Sequence, residues 1–271
     1  MPRTRTTVAE ADTATRGAQT LRRGLQVLRL LARVGPGGLR MGEIVRRVQL
    51  NKATVVRLTR TLVDEGFVVH DAASGRYRLG PEAFAVGLAA EPSFELQRRA
   101  APTLRRLALE SGDTVYFNVL HGFESICLSH HEGDFPIRNQ IMKAGDRFPL
   151  GVGAGSVAML AALADAEVEA SLARSAELRA RLYPRCSDEA VWHLVRETRA
   201  EGCCFLNGLV VEGSCGLGVA VFDAQQRPVA SISIAAIELR FGPTRRLALM
   251  HRMLQASREL TELQTEDAPP A

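Results

Sequence analysis

LRMGEIVRRVQLNKATVVRLTRTLVDEGFVVHDAASGRYRLG, residues 39–80, decides how the rest of the chain is read. Glu43 to Val48 is a short amphipathic segment, Gln49 to Asn51 breaks it, and Lys52 to Glu65 is a longer amphipathic segment. Two strand-like runs follow, Phe67–His70 and Arg76–Leu79, joined by a turn that ends in Gly75. Helix, turn, helix, hairpin is the order of a winged helix-turn-helix. At about 100° per residue, Val55, Leu58 and Leu62 share one arc of the second helix, and Ala53, Arg57 and Arg60 share the opposite arc. Asn51 is a good N-cap for that helix. Its outward face is small at the first turn and cationic along its length. That combination permits close approach to a major groove and offers guanidinium groups to guanine edges or phosphates. Arg76 and Arg78 alternate with Tyr77 and Leu79, so both arginines leave one face of the hairpin. A wing of this kind suits phosphate or minor-groove contact. A solvated cationic helix beside an ordinary hairpin would share these residues, but the order, spacing and polarity agree together.

Charge is distributed to match. Residues 1–80 hold fifteen Lys or Arg and six Asp or Glu, a balance of +9, and the remainder of the chain balances at −5. Only the N-terminal part is suited to a polyanion. No apolar run reaches the roughly 20 residues of a membrane helix. The first residues carry charge without an apolar region. A soluble cytoplasmic protein with no membrane association is expected. The five cysteines (127, 186, 203, 204 and 215) form no C-x-x-C pair. Neither a disulfide framework nor a structural zinc site is implied, and no cofactor or metal is expected.

Outward from this stretch, residues 1–18 read as a disordered arm rich in Thr, Ala and Arg. Leu21, Leu25, Leu28 and Ala32 mark the core stripe of a first helix that Gly35-Pro36-Gly37-Gly38 ends, and Val27 and Leu31 beside that stripe widen the apolar face towards a dimer partner. Residues 19–80 form the winged domain. Residues 81–105 read as linker helices, with Pro102 kinking the second. The next domain, 106–265, has strands at Thr114–His121, Ser125–His130, Ile137–Met142, Phe205–Val211, Gly216–Phe222 and Val229–Ile234. Helices lie between them at Val157–Leu163, Asp165–Ala173 and Ser187–Gly202, the last with Ser187 as N-cap. Pro243–Leu263 closes the domain and 266–271 is a tail. The class is α+β in two domains.

The glycine-rich run Gly151–Ser156 enters a helix, which leaves backbone N–H groups and the positive end of a helix dipole. A carboxylate fits there, and so does the plainer reading that the glycines permit close helix–sheet packing. No P-loop or dinucleotide fingerprint is present. Ser231 and Ser233 alternate onto one strand face. Catalysis by Ser233 or Cys215 lacks a nucleophile elbow and any placeable His–acid pair, so an enzyme such as a hydrolase is not expected.

The chain resembles the IclR family of bacterial transcription regulators from about Leu21 to Leu263. The resemblance rests on LRRGLQVLRLLA, KATVVRLTRTLVDEGFV and GRYRLG in the first part. In the second it rests on SGDTVYFNVLHG, GDRFPLGVGAGSVAMLAAL and GLGVAVFD…PVASISIA. It implies a winged helix-turn-helix joined by helices to a GAF-like effector domain, double-stranded operator DNA as partner, and a homodimer or dimer of dimers. It also implies repression or activation under control of a small organic acid, a carboxylate, with aromatic acids included. The DNA-binding residues expected are Lys52, Ala53, Thr54, Arg57, Arg60, Arg76 and Arg78. The effector residues expected are Ala154, Gly155, Gly216 and Ser233, with Asn207, Cys215 and Ser231 nearby. Gating by a protein partner or by cysteine chemistry at Cys203-Cys204 is the alternative. Three departures stand out. Gln49 occupies the turn position where the family usually has Gly. Asn51-Lys52-Ala53-Thr54 replaces Pro-Lys-Ser-Thr. Ser156-Val157 replaces a frequent Gly-Lys.

Overall fold

The computed structural model describes residues 8–90, 95–137 and 141–266, with side chains described for 18–90, 95–137 and 141–264. The chain divides into two compact units, residues 1–93 and 94–271. Among the described residues no helix is long and apolar enough to cross a membrane.

In the first unit α1 (Val8–Val34) leads through a 3-10 turn (Gly35–Gly37) into β1 (Leu39–Arg40), α2 (Met41–Val48), α3 (Lys52–Asp64), β2 (Val68–Asp71), β3 (Arg76–Leu79) and α4 (Pro81–Ala90). The strands form a small antiparallel sheet in the order β1-β3-β2. The helix-turn-helix and the hairpin therefore stand where the sequence puts them, with β1 added by Leu39 pairing to Tyr77. Gln49 closes α2 at φ 55° and ψ 36°, a left-handed conformation that disfavours any side chain with a Cβ. Gly80 is required for a different reason. A Cβ there would overlap the Gly66 carbonyl, because Gly80 N–H donates to Phe67 O at 2.8 Å as the hairpin closes onto α3.

Two expectations for α1 are corrected. It begins at Val8, so residues 8–18 are helical rather than part of a disordered arm. The alanines at 9, 11, 14 and 18 favour helix, against the weaker helix formers Asp12, Thr13, Thr15 and Gly17. The core face of α1 is Gly24, Val27 and Leu31, while Leu21 and Leu25 are exposed at 65% and 40%. Val27 and Leu31 pack with Leu39, Ile44, Val48, Val55 and Val68. A second apolar stripe runs along the same helix, and periodicity alone does not say which stripe is inside.

The second unit contains α5 (Glu95–Ser111), β4 (Thr114–His121), β5 (Glu124–His131), β6 (Arg147–Pro149), α6 (Ala154–Ala161), α7 (Asp165–Leu182), α8 (Asp188–Glu201), β7 (Cys204–Asn207), β8 (Ser214–Phe222), β9 (Pro228–Ile237) and α9 (Pro243–Glu266). Its six strands form one sheet in the order β6-β5-β4-β9-β8-β7, every pairing antiparallel. Helices cover both faces. Leu104, Leu107 and Ala108 of α5 and Leu249, Met253, Ala256 and Leu260 of α9 pack on Val115, Phe117, Leu217, Val219, Ile232 and Ile234. On the other face Ala154, Val157 and Ala158 of α6 join Leu194, Cys204 and Leu206. The expected linker 81–105 thus divides between the units, α4 in the first and α5 in the second, because α5 has an apolar stripe of its own to bury. Pro102 sits inside α5 without ending it. The expected strand at 137–142 falls partly outside the described residues, and Ile141 and Met142 are not in a strand; the edge strand is Arg147–Pro149 instead. Asp113, buried, anchors the end of α5 by ion pairs to Arg240 (2.8 Å) and Arg245 (2.7 Å).

Candidate functional site

The first candidate surface is α3 with its wing. Asn51 caps the helix by accepting from Thr54 N–H at 2.7 Å. Val55, Leu58 and Thr59 are buried, the Thr59 hydroxyl donating to the Val55 carbonyl. Lys52, Ala53, Arg57 and Arg60 are exposed and Thr54 is half-buried. Among the described residues the side chains of Lys52, Arg57 and Arg60 make no ion pair or hydrogen bond. Val56 is exposed among them at 42%. The wing arginines separate. Arg78 is exposed, with Asp71 4.0 Å away. Arg76 is half-buried and donates to the carbonyls of Gly38 (3.0 Å) and Gly37 (3.4 Å), tying β3 to the turn before β1. Asp71 also orders the wing turn, accepting from the Ser74 hydroxyl at 2.8 Å and from the N–H groups of Ser74 and Ala73. Those bonds hold its carboxyl below the usual aspartate range.

The second candidate site is a cavity of about 50 Å³ at the start of α6. Strand alternation builds its floor. On β9, Ala230, Ile232, Ile234 and Ala236 face α5 and α9, so Ser231, Ser233 and Ala235 face α6. On β8 the same parity sends Leu217 and Val219 away and leaves Gly216 and Gly218 under α6; on β4 it sends Tyr116 and Asn118 to the cavity side. These small residues let the helix start lie directly on the sheet. A Cβ on Gly218 would overlap the Ala154 backbone, and one on Gly155 would stand 2.7 Å from Ser231 Oγ and 3.2 Å from Asn118 Nδ2. Both readings of the glycine-rich run therefore hold at once: it packs closely, and its first turn borders a cavity.

Ala154, Gly155, Gly216 and Ser233 all line this cavity. Ser231 lies beneath Gly155, fully buried. The side chains of Cys215 and Asn207 belong to the opposite face, where Cys215 Sγ lies 3.1 Å from Asn207 Oδ1 and Asn207 Nδ2 donates to Glu238. The reason is the period of two, since neighbours of Gly216 on its strand point away from it. Only the backbone of Cys215 reaches the rim. Ser156 is committed to the loop, its hydroxyl accepting from Gly151 N–H and donating to Pro149 O, both at 3.1 Å. Tyr116, Asn118 and Ser125 also line the cavity and were not singled out from sequence. Burial pushes the Tyr116 hydroxyl up to about 12, and its oxygen accepts from Ile141 N–H at 3.2 Å. The signal for Asn118 was present, as the one amide inside the apolar run VYFNVL.

A reading helix with a free cationic face, a wing, and an α/β domain enclosing a small cavity define a two-domain DNA-binding transcriptional regulator. Comparison with known proteins gives the family. Residues 20–72 match the IclR helix-turn-helix domain, and residues 89–262 match the bacterial transcriptional regulator IclR C-terminal domain. The chain belongs to the IclR family of bacterial transcriptional regulators. It is 32% identical over 219 residues to the glycerol operon regulatory protein of Streptomyces coelicolor, covering 81% of this chain and 85% of that one. It is 29% identical over 253 residues to the transcriptional repressor IclR of Escherichia coli, covering 92% and 90%. Among solved structures, an IclR-type regulator from Alicyclobacillus acidocaldarius superposes with a TM-score of 0.75 at 22% identity, covering 91% of this chain and 98% of that one. An IclR homolog from Microbacterium hydrocarbonoxydans, complexed with 4-hydroxybenzoate, superposes with a TM-score of 0.72 at 18% identity, covering 90% and 98%.

Proposed function

We propose that the protein binds operator DNA through α3 and its wing, and that a small organic acid in the α6 cavity controls its DNA affinity or its activating state. The observation that carries the DNA half is the outward face of α3, where Lys52, Arg57 and Arg60 have no partner among the described residues. Unpaired cations on the exposed face of a second helix meet phosphates and guanine edges without first breaking an ion pair. Ala53 at the first turn keeps the approach close, Thr54 offers a hydroxyl, and Arg78 reaches a phosphate. Arg76 contributes by holding the wing to Gly37 and Gly38.

The effector half is supported by the cavity and by the relative complexed with 4-hydroxybenzoate. A ligand there shifts the protein's equilibrium only by binding one arrangement more tightly than another. Cysteine gating is the less supported alternative. Burial pushes the thiols of Cys127 and Cys203 up to about 12 and that of Cys215 to about 11, which keeps them protonated at neutral pH. Catalysis is not proposed, since among the described residues no His, Asp or Glu lines the cavity beside Ser233.

The working species in this reading is a cytoplasmic homodimer, or a dimer of dimers. Leu21 and Leu25 on α1 and Phe84 (69% exposed), Val86 and Leu88 on α4 are apolar residues of the first unit that it does not bury. A second copy covering them would supply the paired half-sites that specific binding needs. Sedimentation at micromolar concentration, free and with operator DNA selected from random duplexes, is the test. A dimer is expected, and a monomer in both states contradicts it.

A further inference from the structure

We propose that the second unit carries a second ligand site, for a free amino acid with an apolar side chain, in the groove between β7 and the start of α9. The groove measures about 560 Å³, within the range of small-molecule sites. It goes beyond the effector reading, because it lies on the other face of the sheet from the α6 cavity. Strand parity separates the two. The Cys215 side chain points to the groove, with Phe205 and Asn207 of β7, while its neighbour Gly216 lines the α6 cavity.

Charges of both signs line the groove without pairing to each other. Arg246 of α9 is half-buried, its guanidinium lying over the Phe205 ring 4.4 Å from the centroid. Its side chain makes no ion pair or hydrogen bond among the described residues, and neither does that of Glu201 at the end of α8. Glu238 is held from behind. The Cys215 thiol, 2% exposed, donates to Asn207 Oδ1 at 3.1 Å, and Asn207 Nδ2 donates to Glu238 at 3.0 Å. This chain of bonds starts in the core and ends on a carboxylate at the groove. A guanidinium without an acceptor and carboxylates without a cation suit a ligand that carries both charges. Its carboxylate accepts from Arg246, and its ammonium donates to Glu238 and Glu201. An acid alone would meet Arg246 but face two carboxylates, and an amine alone would leave Arg246 unmatched. Beside these charges the wall is apolar, formed by Phe205, Phe241, Leu247 and Met250, with the two phenylalanine rings 6.0 Å apart. An apolar side chain gains by lying there, whereas a charged one would lose hydration.

The test is calorimetric titration of the full-length protein with two matched trios. One is L-leucine, isocaproate and isoamylamine; the other is L-phenylalanine, hydrocinnamate and phenethylamine. In at least one trio the amino acid is expected to bind about tenfold or more tightly than either partner, each of which lacks one charge. Arg246→Gln should remove the advantage over the amine, and Glu238→Gln should reduce the advantage over the acid. If one variant melts well below the parent, the other carries the comparison. Silence of both amino acids, or amino acid binding that neither variant weakens, overturns the inference. Binding of the acids alone, unchanged by Arg246→Gln, also overturns it and leaves the organic-acid reading of the α6 cavity standing.

Discussion

The outward face of α3 and the floor of the α6 cavity are opposites in every physical respect. The first is exposed, cationic and rich in long side chains that pair with nothing among the described residues. The second is recessed, is uncharged among the described residues, and is lined by Gly155, Gly216 and Ser233, with Gly218 and Ser231 packed directly under the start of α6. A polyanion carries its charge on a long surface, so exposed arginines meet it with little desolvation and with strong salt dependence. A small ligand is surrounded, so its partners are fixed dipoles that need no counter-charge. The same difference governs tolerance to mutation. Side chains on α3 can be trimmed without disturbing a core, whereas the cavity floor has no room for an added Cβ.

The largest effect is therefore expected from Gly218→Val. Its branched side chain would overlap the Ala154 backbone. Overpacking of this kind costs about 3 kcal/mol or more. Thermal unfolding should show a large drop in Tm, while Ala53→Ser on α3 leaves Tm unchanged. An unchanged Tm for Gly218→Val would mean that α6 does not lie on the sheet as described.

Next in size is Arg57→Ala, expected to weaken operator binding by about 1–3 kcal/mol and to relax specificity at one base pair. Arg78→Ala should instead weaken all sequences alike and reduce the salt slope by about 1. Arg76→Ala sharpens the contrast within the wing. It removes two bonds to carbonyls, so its effect, about 1 kcal/mol, should appear in thermal stability rather than in the salt slope. Gln49→Gly should raise stability by about 1 kcal/mol, because the residue holds a φ of 55°.

The smallest effect concerns pH. The Asp71 carboxyl is held below its ordinary value, first by the Ser74 hydroxyl, then by the N–H groups of Ser74 and Ala73. A depressed folded-state pKa adds stability above the unfolded value, near pH 4, and loses it as pH falls through the folded value. Acid should loosen the wing, seen by amide hydrogen exchange at residues 71–76. Asp71→Asn should flatten that dependence.

These contrasts also mark what was legible in the sequence. The α3 surface was read almost completely, because amphipathic period, N-cap and turn are local signals; Asn51, Val55 and Leu58 stand as expected. Arg76 was read as leaving the same strand face as Arg78, but its bonds to Gly37 and Gly38 depend on β1 pairing with β3, a contact nearly forty residues apart. The burial phase of α1 escaped for a similar reason. Leu21/Leu25 and Val27/Leu31 both fit a helical period, and only tertiary packing chose between them. In the second unit the strand parity that separates Cys215 from Gly216 was available in the sequence. The meeting of Asn118, Ser125 and Gly155 was not, because it requires the strand order β5-β4-β9-β8 and a helix laid across it. Ser187 capping α8, accepting from Ala190 N–H at 3.2 Å, shows how well a local signal survives in the same unit.

The most direct test of the central claim is fluorescence anisotropy of operator DNA, selected from random duplexes, titrated with the parent protein and with the double variant Arg57→Ala, Arg60→Ala. Tm is measured alongside. The expected result is a loss of operator affinity of tenfold or more with Tm unchanged, since both side chains are exposed and pair with nothing among the described residues. Operator affinity equal to the parent's would contradict the assignment of α3 as the reading helix.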